Sequence, residues 1–132
     1  MKIINLFIAI AILSICPPNI NVAHSKEALF FQKSSWTCNV SVHQACTPEE
    51  CTKRETKPII KIDFNRNEYQ RCFVGKCDIY EMTTKAWGMY SIIEFNRGGG
   101  SYFMVTNDGS EFVESITQGI WTLSSFGQCK SE

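Results

Sequence analysis

The sequence is poor in residues that carry chemistry. Its 132 residues hold two histidines, and one of them, His24, falls in a segment read below as a removable leader. That leaves His43, a lone loop histidine expected at the surface, with no carboxylate or nucleophile spaced to make a triad with it. No G-x-S-x-G, H-E-x-x-H or paired-histidine spacing occurs. The "GGGS" of Gly98–Ser101 lacks the lysine and the strand-to-helix setting of a phosphate loop. No C-x-x-C exists, so the usual redox pair is missing too. Charge of one sign is also lacking: 13 Lys and Arg balance 13 Asp and Glu. A balanced chain gives no electrostatic case for nucleic acid. The small basic cluster Lys53, Arg54 and Lys57 is diluted by Glu49, Glu50 and Glu55 and reads as a solvated loop. These absences exclude nucleic-acid binding and give an expectation of no enzyme activity, no cofactor and no metal.

What is present begins at the N-terminus. "MKIINLFIAIAILSICPPNINVAHSKE" has Lys2 as a basic start, an apolar core over residues 3–15, and a turn-prone polar stretch after it. The apolar core is too short to span a bilayer, and small residues follow, so it reads as a secretory signal peptide. Ala23 and Ser25 suit cleavage after Ser25, with cleavage after Ala23 as the alternative. A lipidated Cys16 competes, but Ile15 stands where Gly, Ala or Ser is usual before such a cysteine. No other segment is long and apolar enough to cross a membrane. Residues 1–25 are thus a signal peptide, 26–35 a short leader whose Phe30 and Phe31 are free to dock, and 36–132 one domain. The expected location is secreted or periplasmic.

Seven cysteines become six when Cys16 leaves with the signal. An even number in an exported chain of this size implies three disulfides. "CTPEEC" and "CFVGKC" each enclose four residues, which pairs Cys46 with Cys51 and Cys72 with Cys77. Cys38 and Cys129 remain as the pair that closes the long loop, and in the chain-entropy model that one stabilises most. A zinc site is the competing reading. It usually takes tighter pairs and a reducing compartment.

The remainder alternates short apolar runs with turn signals, the pattern of successive hairpins. "SSWTCNV", "PIIKIDFN", "EYQRCF", "CDIYEMTTKAW", "MYSIIEFN", "SYFMVTN", "EFVESIT" and "IWTLSSF" give eight strands. Residues 41–57 read as a loop with a helical turn at "TPEECT", where Thr47 can cap and Pro48 suits the first helical position. Asp108-Gly109 is the strongest hairpin signal. A two-residue turn there sets Val105 opposite Phe112 and Met104 opposite Val113. Short sequential connections make the sheet an antiparallel meander. Its amphipathic strands predict closure into a small all-β barrel, with a strongly curved open sheet as the alternative. The expected interior is Ile60, Ile62, Phe64, Met82, Ile93, Phe95, Phe103, Val105, Phe112, Trp121 and Leu123.

For binding, the hairpin "RCFVGKCD" is the most specific feature. With Cys72 opposite Cys77, Arg71 faces Asp78, Gln70 faces Ile79 and Tyr69 faces Tyr80. Tyr69, Arg71, Asp78 and Tyr80 then share one face and form a candidate interaction patch, since Arg and Tyr anchor protein contacts. A structural cross-strand ion pair over an aromatic pair is the plainer reading. The Gly98–Ser101 loop is a second candidate contact. The carboxylates Asp63, Asp78, Glu81, Glu94, Glu111 and Glu114 offer cross-strand pairs of the sort a glycosidase uses, as most small β-proteins do. "NVS" at Asn39–Ser41 is a glycosylation sequon, relevant only in a eukaryotic secretory pathway.

The cysteine framework of "WTC", "CTPEEC", "YQRCFVGKCDIY" and "SFGQC", spanning Trp36 to Cys129, resembles small exported proteins of proteobacteria with no assigned activity. More loosely, the chain is similar to the periplasmic inhibitors of c-type lysozyme, which are small disulfide-bonded antiparallel barrels. Their Ser-Gly-x-x-Tyr loop has its nearest counterpart in "GGGSYF", which differs in order and spacing. The resemblance implies compartment, size and fold type. The expected function is non-catalytic binding of an unknown protein or small ligand. The alternatives are an apolar-ligand carrier or a lysozyme-inhibitor-like protein.

Overall fold

A computed structural model describes residues 29–97 and 100–132. Residues 1–28, which include the expected signal peptide with Cys16 and His24, and the Gly98-Gly99 part of the glycine loop lie outside the described residues. Among the described residues, one 3-10 turn (Leu29–Gln32) precedes nine strands: β1 (Ser35–Cys46), β2 (Cys51–Lys53), β3 (Ile59–Asp63), β4 (Glu68–Phe73), β5 (Lys76–Trp87), β6 (Tyr90–Phe95), β7 (Ser101–Thr106), β8 (Phe112–Gln118) and β9 (Trp121–Ser131). From β3 to β9 each strand pairs antiparallel with the next. β1 lies between β3 and β9 and so closes the ring. The chain is therefore an eight-stranded antiparallel barrel, with the short β2 added beside the second half of β1. Closure pairs most strand edges; β5 is the exception, its residues 76–81 pairing with β4 and 82–87 with β6. The period-two alternation sends one face of most barrel strands into the bore.

All three disulfides form as expected, and each joins residues directly opposite one another in the ladder: Cys38–Cys129, Cys46–Cys51 and Cys72–Cys77. They act as covalent rungs. The Cys38–Cys129 bond, with a sequence separation of 91, ties β1 to β9 at the seam where the barrel closes. Three disulfides belong to an oxidising compartment. Among the described residues, no helix is long and apolar enough to cross a membrane.

The core is aromatic. Tyr69 stacks on Phe95 with ring centroids 4.0 Å apart, and Phe103 stacks on Phe112 at 4.8 Å. Ile60, Ile62, Met82, Ile93 and Val105 fill the space around them. Phe64 and Leu123 pack against this core half-buried. Trp121 does not belong to it: at the first position of β9, on the barrel rim, it is 49 % exposed. One end of the bore is closed by the leader. Phe30 is fully buried, stacked on Trp36 at 4.3 Å, with the Trp36 indole N–H donating to the Phe30 carbonyl at 2.9 Å. Phe31 and Phe64 complete this plug edge-on.

Three local expectations change. Residues 41–57 are not a loop with a helical turn. β1 runs on through Cys46 and returns as β2, with Thr47 bonding the backbone N–H groups of Glu49 and Glu50 in the turn. At Asp108-Gly109 the expected register holds, with Val105 opposite Phe112 and Met104 opposite Val113. The turn itself is wider: only Gly109 has positive φ, and Gly109 N–H donates to the Thr106 carbonyl. Asp108 accepts from Thr106 and Ser110 instead, and the Ser110 bonds, then Thr106, hold its carboxyl down at about 2. The two-residue turn with positive φ at both positions lies elsewhere, at Val74 (47°) and Gly75 (80°), just outside the Cys72–Cys77 rung. A valine resists that conformation, so the rung and the Phe73–Lys76 pair fix a turn the local sequence disfavours.

The barrel's most consequential irregularity is a bulge in β1. Val40 pairs with Gly127 and Val42 with Phe126, so Ser41 is an extra residue. Before it, Trp36, Cys38 and Val40 point inward. After it the phase reverses, and His43 and Ala45 point inward instead. Gly127 allows the close approach this requires, because a Cβ there would lie 2.0 Å from the Asn39 carbonyl oxygen. Gly127→Ala should therefore cost about 3 kcal/mol of stability in urea unfolding. Gly119→Ala, in open space at φ 61°, should cost about 1 kcal/mol. Equal small losses would contradict the close-approach reading.

Candidate functional site

The inward phase of β8 reads Phe112, Glu114, Ile116, so this strand places a carboxylate among apolar side chains. Glu114 is fully buried, and it survives there because donors converge on it. On β4, Tyr69 Oη donates to Glu114 Oε1 at 2.8 Å, and Arg71 Nε lies 3.0 and 3.2 Å from the two carboxylate oxygens. From β9, Ser125 Oγ donates to Glu114 Oε2 at 2.6 Å. Arg71 is itself 2 % exposed. The pair crosses the bore and ties β4 to β8 and β9.

His43 extends the network. The bulge turns it inward, where its Nδ1 lies 3.1 Å from Ser125 Oγ. Burial lowers its pKa from the ordinary 6.5, the positive charge of Arg71 lowers it further, and Glu114 and the Ser124 backbone oppose the shift. His43 is therefore neutral near pH 7. Burial, together with the Glu114 charge and hydrogen bond, pushes the Tyr69 hydroxyl well above 10, so it stays a donor. The order His43–Ser125–Glu114 is not that of a nucleophilic triad, in which the imidazole stands between hydroxyl and carboxylate. Here Ser125 gives its proton to the carboxylate and is fully buried.

Two members of this network, His43 and Arg71, line a depression of about 490 Å³ at the end of the barrel opposite the Phe30 plug. Its walls include Arg54, Thr56, Phe73, Arg97 and Leu123. The Phe73 ring lies over the Arg71 guanidinium, its centroid 4.7 Å from Cζ. Arg97 leans over the Tyr80 ring at 5.9 Å. Two guanidinium nitrogens in this region, Arg71 Nη2 and Arg97 Nη1, are buried without a hydrogen-bond partner. A larger hollow of about 720 Å³ lies where β5 passes from β4 to β6. Glu81 and Glu94 line it. Glu94 is exposed and ion-paired with Lys85, which is not the buried setting of a glycosidase acid. Among the described residues, no group of three His, Cys, Asp or Glu side chains could hold a metal ion.

The candidate patch of Tyr69, Arg71, Asp78 and Tyr80 has the expected register, Arg71 opposite Asp78 and Tyr69 opposite Tyr80, yet it is not a surface. The shared face is the barrel interior. Tyr69 and Arg71 are buried, and Arg71 pairs with Glu114, not with Asp78. Asp78 sits on the part of β5 that extends past β6 and is exposed, while Tyr80 is half-buried against Phe95. His43, expected on the surface, is buried. Of the six carboxylates singled out, only Glu114 enters the network. Its signal was available, because the alternation that puts Phe112 inside also puts Glu114 inside. No family model, curated protein or solved structure matches the chain.

The depressed His43 pKa sets a pH dependence. The folded state resists protonating His43, so its contribution to stability is complete above about pH 6.5 and is lost as pH falls toward the folded-state pKa. Wild type minus His43→Gln, measured by urea unfolding from pH 7.5 to 5, should show stability falling on acidification only where His43 is present. Parallel curves would contradict this.

Proposed function

We propose that the protein is an exported, non-catalytic binding protein that takes its ligand at the arginine-lined end of the barrel. The observation that carries this reading is the asymmetry of the two ends. One is plugged by Phe30, Trp36 and Phe64, and the other opens as a depression over a buried polar network. Stacked aromatic rings occupy the bore, which speaks against an apolar ligand held inside. The serine's engagement with Glu114 speaks against nucleophilic catalysis. The cross-strand disulfides supply a rigid frame, which lowers the entropic cost of binding.

Chemical-shift mapping with a small-fragment library tests this. Responses should concentrate at residues 54–56, 71–73, 97 and 123, and Leu123→Trp, which fills the depression, should abolish them. Responses confined to other surfaces would contradict the reading, as would ester turnover that disappears in Ser125→Ala.

A further inference from the structure

The arginine-lined end carries more cationic hydrogen-bonding capacity than the protein itself uses. Arg71 spends its Nε on Glu114, while its Nη2 is buried with no partner. Arg97 lines the same depression as well as the larger hollow, and its Nη1 is buried and equally unserved. A guanidinium edge withdrawn from water with nothing to bond loses hydration energy and gains nothing in return. Two such edges at one depression are unusual in a native structure. Charge points the same way. Arg54, Arg71 and Arg97 face Glu55 at the rim and Glu114 behind Arg71, which leaves one positive charge in excess while His43 is neutral. Among the described residues, neither Arg54 nor Arg97 has an acidic partner within salt-bridge distance.

Resting on the reading that this end is the binding site, we infer that it takes the carboxylate of a ligand with a short apolar or aromatic body, held by Arg71 and Arg97. A singly charged carboxylate supplies the missing charge, and its two oxygens match guanidinium edges. Leu123 gives an apolar wall for the ligand's body. Phe73 acts as a cover. It is half-buried, next to the Val74-Gly75 turn, and its ring covers the guanidinium. Both unserved nitrogens lie beneath the surface, so Phe73 must swing aside for the ligand to reach Arg71, and an aromatic ligand can then take its place over the cation.

The test uses the disulfide-intact protein and benzoate, followed by the arginine side-chain N–H resonances. Benzoate should shift the signals of Arg71 and Arg97 and bind at least about tenfold more tightly than neutral benzamide, with the advantage shrinking in high salt. Arg97→Gln, which leaves the Arg71–Glu114 pair intact, should weaken benzoate by about tenfold. Phe73→Ala should strengthen binding, because it uncovers Arg71. A tripeptide ending in phenylalanine, with a free or an amidated C-terminus, separates the two sources of a carboxylate. Free peptide binding more tightly than benzoate supports a chain end, and benzoate binding as tightly supports a small acid. Equal affinity for benzoate and benzamide, or no response at either arginine, overturns the carboxylate assignment. Weaker binding by Phe73→Ala overturns the covering role. Neutral fragments that still map to residues 54–56 and 71–73 would leave the binding site standing and remove only its anion chemistry.

Discussion

The Glu114 carboxylate, buried in the bore and bonded to Arg71, is the constraint on which the rest of the molecule turns. A charge in such a place is tolerated only when donors surround it. Two strands supply those donors: Tyr69 and Arg71 from β4 and Ser125 from β9 meet a carboxylate from β8. The network thus fixes how opposite walls of the barrel face each other. It also decides which edge of Arg71 remains. Glu114 engages Nε, leaving Nη2 at the arginine-lined end.

The two ends divide the work. At one, apolar burial of Phe30 against Trp36 closes the bore, and Gly109 packs on the same tryptophan so tightly that a Cβ would meet its ring at 2.5 Å. At the other, polar groups replace the plug. Cross-strand disulfides hold the strands that lead there, with Cys46–Cys51 and Cys72–Cys77 each stapling a hairpin beside the depression. Rigid hairpins around a charged floor form a pre-shaped recognition site, where little order has to be gained on binding.

Much of the fold was legible because cysteine spacing and period-two alternation are local signals. The three pairings, the Cys72–Cys77 register and the inward positions of Ile60, Phe103 and Phe112 all follow from them. Trp121 was misplaced because alternation gives a residue's face and not its height in the barrel, and the start of β9 lies on the rim. The site was less legible. Tyr69 and Arg71 were placed on the correct shared face, but two strands cannot say which face closes inward. Glu114 supplies that answer through its phase with Phe112 and Ile116. His43 had no such signal, because a single extra residue, Ser41, reverses the phase of β1, and a bulge depends on the partner strand.

The energetic role of the buried pair is measured most directly by a double-mutant cycle of Arg71→Met and Glu114→Leu in urea unfolding. Each single change strands the opposite charge and should cost about 3–5 kcal/mol. The double variant, with neither charge, should lose far less than the sum, giving a coupling above about 2 kcal/mol. Single losses that simply add, to within about 0.5 kcal/mol, would show that Arg71 and Glu114 do not depend on each other and would contradict the central place given to them here.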